Sequence, residues 1–451
     1  MKIIVIGSGG REHAIAWKLA QSSEVEKVVC VPGNGGTAFE NKCVNINPAD
    51  CDYLNGEKGN LAYVKIAKHE DCQFCVVGPE DPLALGAADA FWKEGIPVVG
   101  PKQNAAQLEA SKDLAKKFMK KYGVACAESE TFSDKNAALE YIEKKGAPIV
   151  IKADGLAAGK GVVVAKTLDD AKSAVEDLMS GDAVGDAGKT LVIEEYLRGD
   201  EISILAAVSV TEENTKNKKS VIVPFLAARD HKRLLDGAKG PNTGGMGAIS
   251  PVSDVTPLIE AQFEKNILEP TLKGLEAEHF DYRGFIFFGI MLTKDGPKCL
   301  EYNVRLGDPE TQAVLPLMNF DFYKLCQSIV DGSLKDFNLE WKRGFCVAPV
   351  AVSGGYPKSY KKGFEIKFDL KKIDEIGAKV FIAGAIEDKR KSSNENKSKI
   401  ITSGGRVLAC SACGNSFEEA WKKAYDAMAC VEFQNMFYRK DIGLPGAAES
   451  D

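Results

Sequence analysis

The sequence contains few histidines and no excess of positive charge. It has 4 His among 451 residues, and its 58 Lys and Arg are outnumbered by 64 Asp and Glu, which gives a net charge of -6. A chain without a basic surplus has no general attraction to nucleic acid or to anionic membranes. No apolar run reaches the roughly 20 residues that cross a bilayer. The sequence therefore predicts neither a nucleic-acid partner nor a membrane partner.

The features of a secreted or zinc-binding protein are also missing. A strand-like run begins at Met1, which leaves no room for a signal sequence, and we expect a cytoplasmic protein. The twelve Cys include two Cys-x-x-Cys pairs, Cys72/Cys75 and Cys410/Cys413. Structural zinc is the alternative, but no His follows at ligand spacing and both pairs lie in apolar runs. Buried, reduced thiols are the favoured interpretation.

Length and composition predict a multidomain globular protein. A chain of 451 residues with 45% hydrophobic and 27% charged residues is too long for one core, and about three domains are expected. Strand-like and helical runs alternate over the first 105 residues, which predicts a parallel sheet covered by helices. The predicted α/β organisation is as follows: a parallel-sheet N-terminal domain at 1–105, a central domain at 106–330 with a mobile lid at about 125–197, a small α+β C-terminal domain at 331–443, and a disordered tail at 444–451.

The most informative segment is a glycine-rich loop that follows an apolar strand ending at Lys152. Glycines at 155, 159 and 161 let backbone N–H groups approach an anion, and Lys152 and Lys160 supply positive charge. A solvated lysine at the end of a strand is the alternative. The apolar residues before Lys152 and the three glycines after it favour a loop that closes over nucleotide phosphates.

A second segment, Cys299 to Glu310, has the residues of a metal site. Side chains alternate along a strand, so Glu301, Asn303 and Arg305 are expected on one face. A carboxylate and an amide are oxygen ligands, which suit Mg²⁺. Such a pair is common by itself, but the neighbouring Arg305 and the charged turn after it predict a combined site for metal and charged substrate.

The first strand-to-helix turn, Gly7 to His13, has N–H groups placed to favour an anion. A dinucleotide pattern would need a third glycine where the chain has Glu12, so NAD binding is disfavoured. A tight turn without a ligand is the alternative. Glu80, at the end of another strand, is interpreted equally as an acceptor for sugar hydroxyls or as a helix cap.

Two further segments have two interpretations each. The backbone from Glu194 to Leu197 could read an adenine edge and Glu201 could bind ribose, or these residues form a surface acidic cluster. Asp230 to Arg233 is either a phosphate-contacting cluster or a solvated loop. A glycine-rich loop lies at 240–247.

Taken in order, the segments resemble the phosphoribosylamine–glycine ligases (glycinamide ribonucleotide synthetases), a family of the ATP-grasp superfamily. The resemblance covers residues 1 to 443. It rests on GSGGREHA at 7–14, VVGPEDPL at 76–83, KADGLAAGKGV at 152–162, DHKR at 230–233, GPNTGGMG at 240–247, LEYNVRLGDPETQ at 300–312, SGGYP at 353–357 and YRKDIG at 438–443.

The resemblance implies an ATP-grasp central domain that joins glycine to 5-phosphoribosylamine through glycyl phosphate, with ATP and Mg²⁺ or Mn²⁺ as cofactors. It implies metal binding by Glu301 and Asn303 and catalytic roles for Lys152, Arg305 and Asp308. The implied ATP contacts are Lys112, Lys152, Gly159, Lys160, Gly161, Glu194, Glu195, Tyr196, Leu197 and Glu201. The implied substrate contacts are Gly9, Gly10, Glu80, Asp230, Lys232, Arg233, Gly244, Gly245 and Arg305.

Two other functions remain open at this stage. An ATP-grasp carboxylase would use bicarbonate or formate in place of glycine. A non-catalytic nucleotide-binding regulator is disfavoured by the two lysines, the metal pair and Arg305. The resemblance also suggests channelling to other purine-pathway enzymes, and it leaves open whether the chain acts alone or within a multifunctional polypeptide.

Overall fold

The computed structural model describes residues 1–156, 161–182, 184–388 and 399–448. The N-terminal region is a five-stranded parallel sheet in the order β3-β2-β1-β4-β5. Its Val- and Ile-rich strands are buried because helices cover the sheet. Its elements are β1 (Lys2–Gly7), α1 (Gly10–Ala20), β2 (Lys27–Pro32), β3 (Cys43–Asn45), α2 (Gly59–His69), β4 (Phe74–Val77), α3 (Glu80–Ala84), α4 (Ala87–Lys93) and β5 (Val98–Val99).

Two helices connect this region to the next, α5 (Gln103–Ala110) and α6 (Lys112–Tyr122). The polar run from Ala105 to Tyr122 predicts one helical stretch, but the structure interrupts it at Ser111. The Ser111 side chain accepts a hydrogen bond from the Leu114 N–H at 3.1 Å and so caps α6. The interruption brings the end of α5 and the start of α6 close to the site described below.

The predicted lid is a separate antiparallel sheet in the order β6-β9-β7-β8. Two amphipathic helices pack on it and form a core of its own, which includes Ile142, Ile151, Val175 and Ile193. Its elements are β6 (Ser129–Phe132), α7 (Lys135–Lys145), β7 (Ile149–Ala153), β8 (Val162–Ala165), α8 (Leu168–Ser180) and β9 (Leu191–Glu195).

The central sheet is antiparallel in the order β11-β10-β16-β17. The segment at 210–219, predicted as a hairpin loop, connects β10 to β11 through a short helix, α9. Strand β17 lies at the edge of the sheet and carries the predicted metal ligands. The elements are β10 (Asp200–Val210), α9 (Glu212–Lys216), β11 (Val221–Pro224), β12 (Arg229–Asp230), β13 (Arg233–Leu235), β14 (Lys239–Asn242), β15 (Gly247–Ser250), α10 (Pro257–Phe263), α11 (Glu269–Ala277), β16 (Tyr282–Thr293), β17 (Gly296–Asn303), α12 (Glu310–Val314) and α13 (Phe322–Asp331).

The C-terminal sheet has the order β12-β15-β18-β23-β20, and β25 pairs with β18. Two of these strands, β12 and β15, come from the segment that precedes the predicted C-terminal domain, so the two parts of the chain share one sheet. The elements are β18 (Phe345–Ser353), β19 (Lys367–Phe368), α14 (Leu370–Ile376), β20 (Ala378–Ile382), β21 (Ala385–Glu387), β22 (Ile400–Thr402), β23 (Arg406–Gly414), α15 (Phe417–Met428), β24 (Val431–Glu432) and β25 (Met436–Phe437).

The end of the described chain is packed against this sheet. Arg439 is fully buried, and its Nη2 donates to the Ala447 carbonyl at 2.6 Å. Ala447 itself is buried. The prediction of disorder from residue 444 is therefore wrong as far as Ala447, because a buried guanidinium needs the carbonyl acceptors that this segment supplies. Among the described residues, no helix is both long and apolar enough to cross a membrane.

Candidate active site

A buried carboxylate between two lysines organises the lid side of the site. Strands β7 and β9 pair, which brings Lys152 and Glu194 together, and Lys152 Nζ lies 3.0 Å from Glu194 Oε1. Lys116 Nζ lies 3.0 Å from the other carboxylate oxygen. Burial alone would lower the pKa of Lys152, but Glu194 and Glu301 outweigh burial and raise it. Lys152 therefore stays protonated, as a phosphate ligand must.

A second predicted phosphate lysine is tied to the start of the glycine loop. Lys112 Nζ donates to the Gly155 carbonyl at 2.9 Å. The carboxylate of Asp154 accepts from the Asp113 N–H at 3.2 Å, so the loop begins beside the first turn of α6. Gly155 has a φ of 149°, a conformation that disfavours side chains. Burial lowers the pKa of Lys112.

Two predicted phosphate contacts, Gly159 and Lys160, lie outside the described residues. Gly161 is described, and its carbonyl accepts from the Ala153 N–H at 2.7 Å. Gly161 therefore closes the loop at the point where β7 and β8 begin to pair.

The predicted metal ligands lie on the facing strand. Glu301 and Asn303 end β17, and Arg305 Nη2 donates to Asn303 Oδ1 at 3.3 Å. Burial would raise the pKa of Glu301, but Lys232, Lys152 and other nearby cations lower it. Within the described ranges, no three His, Cys, Asp or Glu side chains lie close enough together to hold a metal ion by themselves. The ionised Glu301 and the Asn303 amide fit a hard cation that also takes oxygens from water or substrate.

The two sides of the site are in contact. Lys152 Nζ lies 3.5 Å from the carbonyl oxygen of Leu300, the residue before Glu301. The lysine of the lid and the carboxylate of β17 thus share one cleft.

The predicted adenine segment forms the connection from the lid to the central sheet. Glu194 is not part of a surface acidic cluster, since its side chain is 2% exposed. Glu195 Oε1 lies 3.2 Å from Lys298 Nζ, and Leu197 is buried. Glu195 and Tyr196 line a cavity of about 320 Å³ whose lining includes neither Lys152 nor Glu301.

Glu201 forms an ion pair with Lys232. The sequence assigns these residues separately, Glu201 to ribose and Lys232 to phosphate, and the structure brings them together. Burial would lower the pKa of Lys232, but Glu201 and Glu301 raise it well above its usual range. Lys232 therefore faces both Glu201 and the predicted metal ligand.

The first glycine turn is already in contact with a carboxylate of the chain. The Gly9 N–H donates to Glu12 Oε2 at 2.6 Å. A Cβ atom at Gly10 would lie 2.5 Å from Gln312 Nε2, so glycine at this position permits close approach of α12. Glu12, the residue that departs from the dinucleotide pattern, takes a backbone donor that would otherwise be available to a ligand.

Glu80 connects the N-terminal sheet to Arg305. It is the first residue of α3, and its Oε2 lies 3.1 Å from Arg305 Nε and 3.8 Å from Arg11 Nη1. Burial would raise the pKa of Glu80, but Arg305 and Arg11 lower it. Glu80 thus presents an ionised carboxylate beside the cleft.

The C-terminal region contributes an arginine to the same cleft. Arg406 Nη1 donates to the Asp308 carbonyl at 2.7 Å and also to the Gly244 carbonyl. The Gly244 N–H donates to Tyr356 Oη at 2.9 Å. Gln312 Nε2 donates to Asp308 Oδ1 at 2.8 Å. Burial would raise the pKa of Asp308, but Arg406 and Arg11 lower it.

Two buried carboxyl groups, those of Asp230 and Glu310, lie beside the glycine-rich loop at 240–247. Their negative charge is not fully balanced by neighbouring cations. Asp230 Oδ1 has no hydrogen-bond partner among the described residues, and a Cβ atom at Gly245 would lie 2.6 Å from it. Burial and the neighbouring Glu310 raise the pKa of Asp230 well above its usual range. Glu310 accepts from Ser203 Oγ at 2.9 Å, and burial raises its pKa too. This pair would be stabilised by a cationic group.

Arg233 lies in a different environment from Asp230. Its Nη1 donates to the Gly240 carbonyl at 3.0 Å within the β13–β14 hairpin. Of the predicted charged cluster, Asp230 and Lys232 reach the cleft, whereas Arg233 bonds within the hairpin and its carbonyl accepts from Arg439 Nη1 at 3.0 Å.

Sequence reasoning missed three charged residues of the cleft, Lys116, Arg406 and Glu109. Glu109 is 8% exposed, and its Oε1 lies 2.8 Å from Arg305 Nη2. The spacing of Lys116, one helical turn after Lys112, was the only local signal for any of them.

A lid of antiparallel strands packed against the edge strand of a central antiparallel sheet is the arrangement of an ATP-grasp protein. Three family models match the chain: the phosphoribosylglycinamide synthetase N domain at residues 1–109, its ATP-grasp (A) domain at 110–311 and its C domain at 346–445. The chain belongs to the phosphoribosylglycinamide synthetase family. The resemblance inferred from the motifs is confirmed, and so is the fold class.

Relatives of this family match over nearly their whole length. The phosphoribosylamine–glycine ligase of Clostridium acetobutylicum is 48% identical over 443 residues, covering 98% of this chain and 99% of the relative. That of Vibrio vulnificus is 44% identical over 450 residues, covering 99% of each. The crystal structure of the Thermotoga maritima enzyme superposes with a TM-score of 0.79 at 34% identity, covering 98% of this chain and 100% of that one. A biotin carboxylase domain from Hydrogenobacter thermophilus shares the fold, with a TM-score of 0.68 at 16% identity.

Proposed function

We propose that this chain is an ATP-dependent ligase that joins glycine to 5-phosphoribosylamine, giving glycinamide ribonucleotide, ADP and phosphate in purine biosynthesis. The observation that carries the proposal is the contact between the lid and β17, which places Lys152 beside the strand of Glu301. The family relatives named as phosphoribosylamine–glycine ligases support the choice of substrates.

The first step transfers the γ-phosphoryl group of ATP to the glycine carboxylate and forms glycyl phosphate. A carboxylate that approaches a phosphate oxygen to ~4 Å is repelled by ~4 kcal/mol per charge pair at an effective dielectric constant of 20. Lys112, Lys152 and Arg305 offset this repulsion, because their charges converge on Glu301 and the space around it. Their positions are set before the substrate arrives, which is the main requirement for electrostatic catalysis.

The metal proposed for this site is Mg²⁺, with Mn²⁺ as a substitute. Glu301 and Asn303 would hold it through their oxygens. A divalent cation bound there would neutralise phosphate charge. Removal of divalent cations with EDTA should abolish ADP formation, and added Mg²⁺ should restore it.

Asp230 and Glu310 are proposed to hold a substrate amine. Their pKa values are raised because they are buried close together, so a cationic ammonium group beside them would favour the ionised forms. Gly245 packs directly against Asp230, where a Cβ atom would lie 2.6 Å from Oδ1, and Gly244 and Gly245 are proposed as further substrate contacts. Lys232 is proposed to contact substrate from the opposite side, in place of its pairing with Glu201.

The second step is attack of the phosphoribosylamine amine on the carbonyl carbon of glycyl phosphate, with loss of phosphate. We propose that Gly9, Gly10 and Glu80 help to hold phosphoribosylamine, because they lie at the ends of the N-terminal strands and border Arg305 and α12. Closure of the lid would exclude water from the acyl phosphate. We place the reaction in the cytoplasm with the other steps of purine synthesis, and channelling to those enzymes stays a prediction.

The decisive assay measures ADP formation with glycine, bicarbonate or formate, each with and without phosphoribosylamine generated in situ. We expect rapid ADP formation only when glycine and phosphoribosylamine are both present. Turnover with bicarbonate or formate instead would show a carboxylase or a formate-dependent ligase. ATP binding without turnover under every condition would favour a regulator.

Two substitutions test the residue assignments. Glu301→Gln removes the negative charge of a proposed metal ligand, and Lys152→Met removes a positive charge proposed to contact phosphate. Each substitution should lower kcat/KM by at least about a hundredfold, on the order of 3 kcal/mol of transition-state stabilisation. Circular dichroism should show folded protein in both cases. Near-normal turnover of either folded variant would refute its assignment.

A further inference from the structure

Arg305 is held by three side chains, and one of them has no part in the reaction proposed above. Its Nε lies 3.1 Å from Glu80, its Nη2 donates to Asn303 at 3.3 Å, and the same Nη2 lies 2.8 Å from Glu109 Oε1. A guanidinium is a planar group with five donors, so several fixed acceptors determine its orientation. Glu109 gives Arg305 the shortest of these three contacts.

Glu109 also fixes the backbone next to the metal strand. Its Oε2 accepts from the Val304 N–H at 2.7 Å, and Val304 lies between the two residues Asn303 and Arg305. One carboxylate thus holds both the main chain that leads into Arg305 and the guanidinium itself. Two fixed contacts on one residue define the position of the side chain far better than one.

The position of Glu109 in the fold suits this role. It lies in the last turn of α5, three residues before Lys112 of α6. It is 8% exposed, and its carboxylate faces the charges of Arg305, Glu80, Arg11 and Lys112 and the Tyr282 hydroxyl. A buried carboxylate in such a place is stable only while it is paired.

We propose that Glu109 is a positioning residue of the ligase reaction, and that it aims Arg305 at the reacting phosphate by holding its Nη2 and the Val304 N–H. The inference rests on the proposed function. It predicts that the charge of Glu109 matters for kcat, since Arg305 acts on the transition state, and that it matters little for the binding of ATP.

The test compares Glu109→Gln with the wild type. Glutamine has nearly the same shape and can still accept from Val304, but it no longer attracts Arg305. Because the buried ion pair with Arg305 is lost, kcat should fall roughly tenfold to a hundredfold, with the KM for ATP within about threefold. The matched control is Glu278→Gln, which breaks the ion pair with Lys121 at the far end of α6 and should leave kcat unchanged.

A double-substitution cycle separates positioning from general stability. If Glu109 acts through Arg305, then Glu109→Gln added to Arg305→Ala should lower kcat by less than about twofold further. If Glu109 had a purely structural role, the decreases in kcat caused by the two substitutions would be additive. Additivity, or a wild-type kcat in Glu109→Gln, would overturn the inference.

The pH dependence of kcat is an independent readout. Burial raises the pKa of Glu109 to about 7 although Arg305 opposes this. Protonation below about pH 7 removes the charge that holds Arg305, so the wild-type kcat should fall on the acid side with that midpoint, and Glu109→Gln should lack this limb. If the variant does not fold, a flat wild-type profile from pH 6 to 8 would still contradict the inference. A wild type without glycine-dependent turnover would instead refute the proposed function itself.

Discussion

The residue that best explains the phosphate side of the cleft is Glu194. Its carboxylate lies between Lys152 and Lys116, at 3.0 Å from each. Burying a carboxylate with two cationic partners costs less free energy than burying one with a single partner. The carboxylate between them also keeps the two lysine side chains apart and extended. Glu194 thereby sets the direction of Lys152 before ATP binds.

Lys116→Met tests this arrangement at the scale of the residue. With one partner lost, Glu194 should hold Lys152 more tightly, so the KM for ATP should rise several-fold. The free energy of unfolding should fall by about 1–3 kcal/mol because Glu194 loses one of its two buried ion-pair partners. ATP titration and urea denaturation measure the two effects.

The neighbouring Lys117→Met is the matched control. Lys117 is 74% exposed and forms an ion pair with Asp113 in the same helix, so its loss should change stability by less than about 0.5 kcal/mol. Equal effects of the two substitutions would contradict the role given to Lys116.

The sequence predicts Lys152, Glu301 and Arg305 as site residues because each stands at or just after the end of a strand, where a charged residue is conspicuous. It could not identify Lys116, since α6 contains Lys at 112, 116, 117, 120 and 121, and nothing local separates the buried lysine from the exposed ones. Glu109 is hidden for a similar reason. Its partner Arg305 lies far along the chain, and only the fold brings them together.

At the scale of the element, apolar strands are predicted more reliably than helix boundaries. Continuous apolar runs predict strands at Lys2 to Ile6 and at Phe74 to Val77, and the structure has β1 at Lys2–Gly7 and β4 at Phe74–Val77. The apolar pattern from Leu83 to Trp92 predicts one helix, but the structure has two, α3 and α4, because Gly86 adopts a φ of 83° between them. Strand β3 and helix α2 were missed, since three residues give no periodicity and α2 begins with Gly59 and Asn60, which are poor helix formers.

The break between α5 and α6 is an element with a testable function. Ser111 caps α6 through the Leu114 N–H and donates to Asp154 Oδ2 at 3.3 Å. Ser111→Ala should lower the free energy of unfolding by about 1 kcal/mol. It should also raise the KM for ATP, because Lys112 and the start of the glycine loop lose a common anchor.

Ser416→Ala is the control for this prediction. Ser416 caps α15 by accepting from the Glu419 N–H at 3.2 Å, and α15 lies in the C-terminal region. Both substitutions should cost similar stability in thermal or urea unfolding, but only Ser111→Ala should change the KM for ATP. A shift of KM in both would show that the effect comes from stability alone.

At the scale of the whole molecule, the site is assembled from parts that are distant in the sequence. The N-terminal sheet supplies Glu80, the central sheet Arg305 and Asp308, and the C-terminal sheet Arg406. Local patterns predicted the first two contributions. Arg406 follows two glycines about 100 residues after Asp308, and its neighbours in the sequence do not distinguish it. Only the shared sheet of β12, β15, β18 and β23 shows that Arg406 belongs to the site.

Two of the four histidines join the C-terminal region to the rest of the molecule. His13 Nδ1 accepts from the Ile382 N–H at 2.8 Å, and His231 Nε2 accepts from the Gly443 N–H at 3.0 Å. Both contacts need a neutral ring with a free lone pair. Burial lowers the pKa of both residues, that of His231 to about 4.

This arrangement predicts a pH-dependent contribution of His231 to stability. Because its folded pKa lies below the usual 6.5, the unfolded state binds a proton first, and stability is lost as pH falls from about 6.5 to 4. Raised carboxyl pKa values, such as that of Glu109, act in the opposite direction, so the wild-type profile of stability against pH is not diagnostic alone.

The variant His231→Gln isolates the contribution of His231, since glutamine can still accept from Gly443 but does not titrate. Relative to the wild type, this variant should gain about 3 kcal/mol of unfolding free energy between pH 7 and pH 4, measured by urea denaturation. His69→Gln, at a ring that is 55% exposed, should show no such gain, and parallel profiles of wild type and His231→Gln would disprove the role of the neutral ring.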